Sequence, residues 1–308
     1  MIVFRLDMNE QNVKNSYTQV IQQNFPKLKV KSIKLLNEGW MSQAFLVNEQ
    51  YVFLFPKEQW GSDDLKKEIE ILPHLIKRVS LSIPKFDYVG VQSNGLQFVE
   101  YPMIVGEPMS PMLFVALSEN AKERIFEQLA EFMTQVHTFP VEQAHKLGAP
   151  DMNIQVDCMK NLESIHQHAD ELPKEIIQYI EKRTKEYLGD TECHQYEPTL
   201  VHGDLAPDHF IFSVERQELE GIIDFGEMAI TDPDYDYVYI MRELGTDVAE
   251  RIMRKRSEKN IEQKKKKVGY YVTFNYVNDI VVSFQMDALL SWRNLAIKEL
   301  RKESRSNQ

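Results

Sequence analysis

The sequence lacks the features of disulfide-rich, zinc-binding, membrane-spanning and secreted proteins. Only two cysteines, Cys158 and Cys193, occur in 308 residues, and their wide spacing fits neither a disulfide scaffold nor a zinc site. No apolar run reaches the ~18 residues of a membrane span, and the first residues lack a signal-peptide pattern. We therefore expect a cytoplasmic protein with no membrane partner.

Basic residues are also scarce relative to acidic ones. The chain has 36 Lys and Arg against 47 Asp and Glu, which gives a formal net charge of −11. Nucleic acids are bound by basic stripes, so we expect no nucleic-acid partner. An acidic cleft concentrates small cations, although net charge of this sign also serves solubility alone. The lysine run at 264–267 is interpreted as a solvated helix face.

The chemistry of this chain is concentrated in Leu200–Asp236. Two apolar runs, Phe210–Phe212 and Leu219–Ile223, flank a polar turn and predict a short hairpin. Because a hairpin folds the chain back on itself, the residues at its two ends are expected to lie side by side. The polar residues at or near those ends are Asp204, His209 and Asp224.

This order of polar residues is typical of kinases. There, a His-x-Asp triplet is followed five residues later by a metal ligand and then by Asp-Phe-Gly. Here the triplet ends at Asp204, His209 follows at that spacing, and Asp224-Phe225-Gly226 comes next. One carboxylate orients a hydroxyl and accepts its proton, while two further ligands hold a divalent cation against a phosphate. The alternative is a structural hairpin whose polar ends are satisfied.

The amino-acid sequences of three segments resemble motifs of the aminoglycoside phosphotransferase family. They are His-Gly-Asp-Leu from 202, Gly-Ile-Ile-Asp-Phe-Gly-Glu from 221 and Asp-Pro-Asp-Tyr-Asp from 232. The likeness is greatest to the 2''-phosphotransferases, with macrolide and choline kinases related, and it covers most of the chain. It implies an α+β, bilobal protein-kinase-like fold. Residues 1–105 would form a nucleotide-binding lobe of β-sheet plus a helix, and residues 106–308 a larger, mostly helical lobe with the catalytic loop and substrate cleft.

In the N-terminal part, apolar spacing predicts strands joined by turns and two helices. The predicted strands cover residues 30–36, 44–47, 51–55, 88–91 and 96–100, and the predicted helices cover 10–25 and 63–78. Ser62 or Asp63 is the expected cap of the second helix. The turn at 37–42 contains a single glycine and could lie over a triphosphate, with Ser42 as the hydroxyl donor.

The resemblance also implies residues that hold ATP or GTP. Related enzymes carry Lys or Arg on the third strand, where this chain has Leu54. Three alternatives stay open: Lys57 takes over, another group does, or the protein binds nucleotide poorly and is a non-catalytic binding protein. Glu68 stands where the family's helix glutamate pairs with that strand lysine. The link between lobes would bind the purine through its backbone, at Glu100, Tyr101 and Met103.

The C-terminal part reads as helical, with helices predicted over 119–136, 237–244, 246–265 and 268–302 and a polar helical insertion over 140–196. The resemblance implies that His137 is structural and that Asp236 braces the catalytic loop. It further implies that acidic residues and a tryptophan contact the substrate. The candidates are Asp204, Glu227, Glu243, Asp247, Glu250 and Trp292.

The predicted function is that of a small-molecule kinase. It would transfer the γ-phosphate of ATP or GTP, with Mg²⁺, to a hydroxyl of a cationic, aminoglycoside-like substrate. Asp204 is the predicted base, and His209 and Asp224 are the predicted metal ligands. Because imidazole is a softer ligand than Mg²⁺ prefers, His209 could instead only hydrogen-bond Asp204 or a metal-bound water. Another small alcohol, such as a macrolide, a choline-like amine or a metabolite, is the alternative substrate, and the sequence leaves the oligomeric state open.

Overall fold

The computed structural model describes residues 15–39, 41–285 and 289–306. The chain divides into two compact units. Unit 1 comprises Met1–Glu107, Lys146–Gly148 and Ile211–Glu227. Unit 2 comprises Pro108–His145, Ala149–Phe210 and Met228–Gln308. The hairpin segment thus belongs to the first unit although it follows residue 106, and the lobe boundary at 105/106 stays a prediction.

Unit 1 contains an antiparallel five-stranded sheet of order β1-β2-β3-β5-β4. Its strands are β1 Ile33–Glu38, β2 Ser42–Val47, β3 Tyr51–Pro56, β4 Tyr88–Val91 and β5 Gln97–Pro102. Successive side chains point to opposite faces of a strand. One face carries Phe53, Phe55 and Phe98, which pack with Ile21 from a helix, α1, over residues 15–24. The part of the predicted helix before residue 15 lies outside the described residues.

The other face of the sheet packs against helix α2, Gln59–Leu75, through Leu65. This helix begins earlier than predicted, so the expected cap at Ser62 or Asp63 is wrong. The N-cap is Glu58, whose side chain makes no capping hydrogen bond. The backbone N–H of Ser62 donates to the carbonyl of Glu58, which places Ser62 inside the first turn.

The predicted hairpin forms from β8, Phe210–Ser213, and β9, Glu218–Ile222, and β8 also pairs with the short strand β6, Glu107–Pro108. Within unit 1 the hairpin is tied to the segment that follows α2. The N–H of Ser82 donates to Glu220 O at 3.1 Å, and the N–H of Ile222 donates to Ser82 O at 2.9 Å. A Cβ on Gly221 would lie 2.3 Å from Ser82 O, so this close approach requires glycine.

Unit 2 is built mainly from helices, with one antiparallel strand pair, β7 Thr199–Val201 and β10 Ala229–Thr231. Among its described helices, none combines the length and apolar character that crossing a bilayer demands. The helices are α3 Pro111–Ala116, α4 Glu119–His137, α5 Val141–Lys146, α6 Ile154–Gln167, α7 Lys174–Gly189, α8 Val238–Leu244, α9 Thr246–Lys255, α10 Ile261–Ser283 and α11 Leu290–Ser306.

The prediction of two helices over 246–265 and 268–302 is wrong, because three helices, α9 to α11, occupy this region. Ser257 and Asn260 both adopt left-handed backbone conformations, with φ of 55° and 53°. An α-helix cannot continue through such residues. Apolar spacing alone did not reveal the break, since neither residue is glycine or proline.

The solvated-face interpretation of the lysine run at 264–267 is wrong for Lys267. Its ammonium lies 2.7 Å from Asp232 Oδ2 and 2.7 Å from Asp234 Oδ2, and all three residues are buried. Lys264 also pairs with Asp234, at 2.7 Å. These carboxylates are about thirty residues away in sequence, so no local pattern indicated the pairing.

Candidate active site

The predicted catalytic loop of unit 2, His202–Asp204, follows β7 and is held by Asp236. The N–H of Gly203 donates to Asp236 Oδ1 at 2.9 Å, and the N–H of His202 donates to Asp236 Oδ2 at 3.2 Å. Gly203 has a φ of 85°, a conformation that glycine adopts without strain. The expected bracing role of Asp236 is confirmed by these two hydrogen bonds.

Asp236 is in turn held by His137 from the end of α4. His137 Nε2 lies 2.8 Å from Asp236 Oδ2, and Arg256 Nη2 lies 3.1 Å from His137 Nδ1. Since a guanidinium only donates, Nδ1 accepts and the ring proton resides on Nε2, which donates to Asp236. Burial would raise the pKa of Asp236, but hydrogen bonds from His137 and Gly203 hold that pKa below its ordinary value. His137 is therefore structural, as predicted.

Asp204 and His209 come together on the same loop. His209 Nδ1 lies 2.9 Å from the backbone carbonyl of Asp204 and 3.7 Å from its carboxylate Oδ2. A carbonyl only accepts, so Nδ1 carries a proton and Nε2 bears the lone pair of the neutral ring. Both side chains are largely buried, with 22% of Asp204 and 15% of His209 exposed. The local geometry thus places a carboxylate and an imidazole nitrogen side by side.

Glu243 and Tyr239 from α8 lie near this pair. Burial and the charge of Asp208 raise the pKa of Glu243, while Arg242 and His209 lower it. Tyr239 was not predicted; burial and the charge of Asp204 raise the pKa of its phenol. No sequence signal pointed to Tyr239, because one tyrosine in an apolar helix reads as core.

The remaining substrate candidates of unit 2 are more widely placed. Glu250 lies 2.6 Å from Arg254 and also pairs with Lys265, and hydrogen bonds from these two residues lower its pKa. Asp247 lies in the first turn of α9. Trp292 lies on α11 and is 44% exposed. All three stay predictions as substrate residues, and of them Glu250 already has cationic partners.

In unit 1, the motif Asp224-Phe225-Gly226 lies against helix α2. The backbone N–H of Phe225 donates to the Glu68 carboxylate. A Cβ built on Gly226 would lie 3.7 Å from Asp224 Oδ1 and 3.8 Å from Glu68 Oε1, which locates both carboxylates beside this glycine. Asp224 has a φ of 66°, a left-handed conformation that Asp tolerates better than most residues. The predicted helix glutamate and the predicted metal ligand are therefore neighbours.

Several acidic groups gather around this motif. Burial and then Asp224 raise the pKa of Glu68 well above its ordinary value, and Lys67 opposes them. Burial and then Asp64 raise the pKa of Glu227, which Lys67 again lowers. We call Asp64, Glu68, Asp224 and Glu227 the carboxylate cluster. Neither Asp64 nor Lys67 was singled out from the sequence, because both read as ordinary polar positions of an amphipathic helix.

The strand position of the missing cation is apolar in the structure as well. Leu54 packs with Val52, Leu65 and Tyr101 on the α2 face of the sheet. Lys57 points elsewhere: its ammonium lies 2.8 Å from the carbonyl of Gly39 and 3.3 Å from Glu38 Oε1.

Ser42 opens strand β2 opposite Pro56. The turn residue Trp40 lies outside the described residues. The roles of Ser42 and Lys57 in binding phosphate stay predictions.

The predicted purine-binding residues lie on and after β5. The backbone N–H of Met103 already donates to Gln50 O at 2.9 Å, so that group is engaged within unit 1. Tyr101 pairs with Val52 in the sheet, and burial followed by the charges of Glu68 and Asp224 raises its pKa. Glu100 is buried, and neither carboxylate oxygen has a hydrogen-bond partner within the described chain.

The donor set of these residues suits a hard cation. Mg²⁺ prefers oxygen ligands and usually binds one or two protein carboxylates together with waters and substrate phosphates. The carboxylate cluster supplies such oxygens next to Asp224. The described residues contain no group of three or more His, Cys, Asp or Glu arranged to hold a metal. Asp224 and His209 therefore stay predictions as metal ligands.

Comparison with known proteins agrees with the fold and the motifs. The model of the phosphotransferase enzyme family, APH, matches residues 32–261. The structure of the GDP complex of wild-type aminoglycoside 2'-phosphotransferase-IIIa is similar at 36% identity with a TM-score of 0.91, covering 96% of this chain and 99% of that one. The GDP and kanamycin complex of APH(2")-IIIa is similar at 36% identity with a TM-score of 0.90, covering 95% and 99%.

A more distant likeness extends to macrolide 2'-phosphotransferase type I. Its TM-score is 0.74 at 15% identity, with 95% of this chain and 97% of that chain covered, which shows the shared fold alone. The predicted α+β kinase-like fold is thus confirmed, with an antiparallel sheet and a helix in the N-terminal part and a mainly helical C-terminal part. The chain therefore belongs to the APH family of phosphotransferase enzymes, whose members transfer phosphate to a hydroxyl group.

Proposed function

We propose that this enzyme phosphorylates a hydroxyl of an aminoglycoside, using a nucleoside triphosphate and Mg²⁺, and thereby confers antibiotic resistance. The observation that carries the proposal is the 36% identity over 95% of this chain to a protein whose structure contains GDP and kanamycin. The formal charge of −11 supports a polycationic substrate, because negative surface potential raises the local concentration of cations.

We propose GTP as the preferred phosphate donor. Two similar structures at 36% identity are GDP complexes. The protein in the solved streptomycin–ATP–APH(2")-IIa complex is 23% identical to this chain, and that similarity supports only a shared fold. The purine is proposed to lie against Glu100, Tyr101 and Met103.

In the proposed reaction, Asp204 orients the substrate hydroxyl and accepts its proton, a contribution of typically ~10²–10⁴ in rate. The hydrogen bonds from His202 and Gly203 to Asp236 support this role, because they fix the backbone beside Asp204. Asp224 and His209 Nε2 would hold Mg²⁺, which when bound neutralises charge on the transferring phosphate.

The substrate amines are proposed to be held by acidic side chains and one aromatic ring. Glu243 has the most support, because helix α8, which carries it, packs against the short helix Pro207–His209 that follows Asp204. The full set of proposed substrate residues is Asp204, Glu227, Glu243, Asp247, Glu250 and Trp292.

The test is a phosphate-transfer assay with GTP and with ATP against kanamycin, gentamicin, a macrolide and choline. We expect transfer to an aminoglycoside with GTP preferred, and loss of transfer in Asp204→Asn with nucleotide affinity retained. Asp170→Asn is the matched control, because Asp170 is exposed on a short helix of unit 2. Transfer to the macrolide or to choline alone would contradict the proposed substrate, and near wild-type turnover of Asp204→Asn would contradict the base.

A further inference from the structure

The carboxylate cluster of unit 1 brings acidic side chains together beside Gly226. Asp224 Oδ1, Glu68 Oε1 and Asp64 Cβ would all lie within 4.0 Å of a Cβ on Gly226. Like charges at such separations cost free energy unless a cation lies between them.

Neither of the two positions considered from the sequence, Leu54 and Lys57, supplies that cation. Leu54 is apolar, and its neighbours Val52 and Leu65 are apolar too. The ammonium of Lys57 is bound at the turn after β1, to Gly39 O and Glu38.

Lys67 does lie in the cluster. It is buried, with 9% of its side chain exposed, and its ammonium is 3.3 Å from Asp64 Oδ1. Lys67 is three residues after Asp64 and Glu68 is four residues after it, so both side chains lie next to Asp64 on one face of α2.

The neighbouring Lys66 provides a built-in comparison. It lies on the same helix but is 52% exposed, and it pairs with Asp63, which is 58% exposed. Exposed pairs of this kind contribute little, because water screens them. Two adjacent lysines on α2 therefore differ in a single respect that matters here, which is burial against the carboxylate cluster.

We propose that Lys67 is a positioning residue of the phosphotransfer reaction, supplying from helix α2 the positive charge that Leu54 does not supply from the strand. Lys67 balances the charge of Asp64 beside Glu68 and Asp224 and thereby keeps Asp224 in place for the metal–nucleotide complex. This inference rests on the proposed function. The sequence left open that a group other than Lys57 replaces the strand cation, and Lys67 is the residue that we propose for that role.

The experiment compares Lys67→Met with the matched control Lys66→Met. Binding of Mg²⁺·GTP is measured by calorimetry, and KM is measured separately for nucleotide and for aminoglycoside. We expect Lys67→Met to weaken Mg²⁺·GTP binding by roughly 10-fold, which is the effect on an equilibrium constant of an interaction that shifts a pKa by about one unit. The KM for aminoglycoside should stay unchanged, and Lys66→Met should match wild type in both measurements.

Two rescue variants separate positioning from general loss of structure. Lys67→Arg keeps the charge and should retain most of the nucleotide affinity. The double variant Lys67→Met with Leu54→Lys should recover affinity relative to Lys67→Met, because Leu54 packs with Leu65 of α2, one helical turn before Glu68. If Lys67→Met does not fold, the same comparison is made with Lys67→Gln and Lys66→Gln.

The outcomes distinguish this inference from the proposed function. A wild-type protein that binds no Mg²⁺·nucleotide refutes the proposed function. Normal wild-type binding together with equal affinities for Lys67→Met and Lys66→Met refutes the role of Lys67 alone. Failure of both the Arg variant and the Leu54→Lys double variant to recover affinity also overturns it, because a positioning charge should be replaceable by another charge.

Discussion

Asp236→Asn should uncouple the predicted catalytic loop from the rest of unit 2. The two carboxylate oxygens accept three donors: Gly203 N–H at Oδ1, and His202 N–H and His137 Nε2–H at Oδ2. An amide nitrogen cannot accept, so the less costly orientation keeps Oδ2 as the carbonyl oxygen and leaves Gly203 N–H without its partner. Losing one buried hydrogen bond to a charged acceptor costs ~2–3 kcal/mol of unfolding free energy.

The loss should be visible in catalysis as well. Gly203 precedes Asp204 directly, and a displacement of ~1 Å at a reacting group costs ~10²-fold in rate. We expect kcat for aminoglycoside phosphorylation to fall by about that factor, with nucleotide affinity retained.

Acid should remove part of the difference in stability. The pKa of Asp236 is lowered from 3.8, so its ionised form contributes fully above that value and loses its contribution as the pH falls through the folded pKa. The stability gap between wild type and Asp236→Asn should therefore be constant at neutral pH and narrow below about pH 4.

The assays are urea unfolding between pH 3 and 8, followed by steady-state kinetics, with Asp170→Asn as the exposed control. A variant whose unfolding free energy stays within ~0.5 kcal/mol of wild type, the range of ordinary surface changes, would refute the reasoning. So would an unaltered kcat.

Two further predictions concern buried charge. Burial raises the pKa of Glu100 from 4.5 to about 7. The folded protein therefore disfavours the ionised carboxylate, and the unfolding free energy falls as the pH rises from 4.5 to about 7. Glu100→Gln should therefore gain ~1–2 kcal/mol relative to wild type in urea unfolding at pH 8 and little at pH 4.5, and an equal effect at both pH values would contradict this. Lys267→Met should lower the unfolding free energy by ~3–5 kcal/mol, because Asp232 and Asp234 keep their charges without this buried partner. Lys266→Met, which removes a mostly exposed lysine from the same helix, should cost less than ~1 kcal/mol in the same measurement, and equal losses for the two variants would contradict the pairing.

The parts of the fold that were predicted correctly are mainly those that short segments of sequence determine. The hairpin after the catalytic loop forms from two apolar runs and a polar turn, and the ends of its strands differ from the prediction by at most one residue. The hairpin signal depends on neighbours along the chain, which a single sequence displays. The Asp236 brace spans 34 residues and was implied by the family resemblance of its motif.

The parts that were missed depend on contacts between distant residues. Lys267 read as one of four solvated lysines, because Asp232 and Asp234 become its neighbours only after α10 packs. The break between α9 and α10 depends on Ser257 and Asn260 adopting positive φ, which many sequences with these residues do not.

The site residues divide in the same way. Asp204 and His209 are five residues apart, and the structure places them in contact. Glu68 lies on the predicted helix, yet its contact with the Phe225 backbone could not be foreseen, because helix α2 and the Asp-Phe-Gly segment are separated by more than 140 residues.

Helix α2 and the segment after it are each attached to the region of β9, and these attachments bear on regulation. Many protein kinases are turned on and off by moving the helix that carries the equivalent glutamate. In unit 1, Ser82 makes two backbone hydrogen bonds to β9, and the Glu68 carboxylate accepts a hydrogen bond from the backbone N–H of Phe225, just beyond the same strand. A displacement of α2 would break the contact of Glu68 with the Phe225 backbone, and a displacement of the segment after α2 would break the two bonds of Ser82. Unit 1 therefore already holds the α2 glutamate against the Asp-Phe-Gly segment, a contact that a moving helix would otherwise have to make.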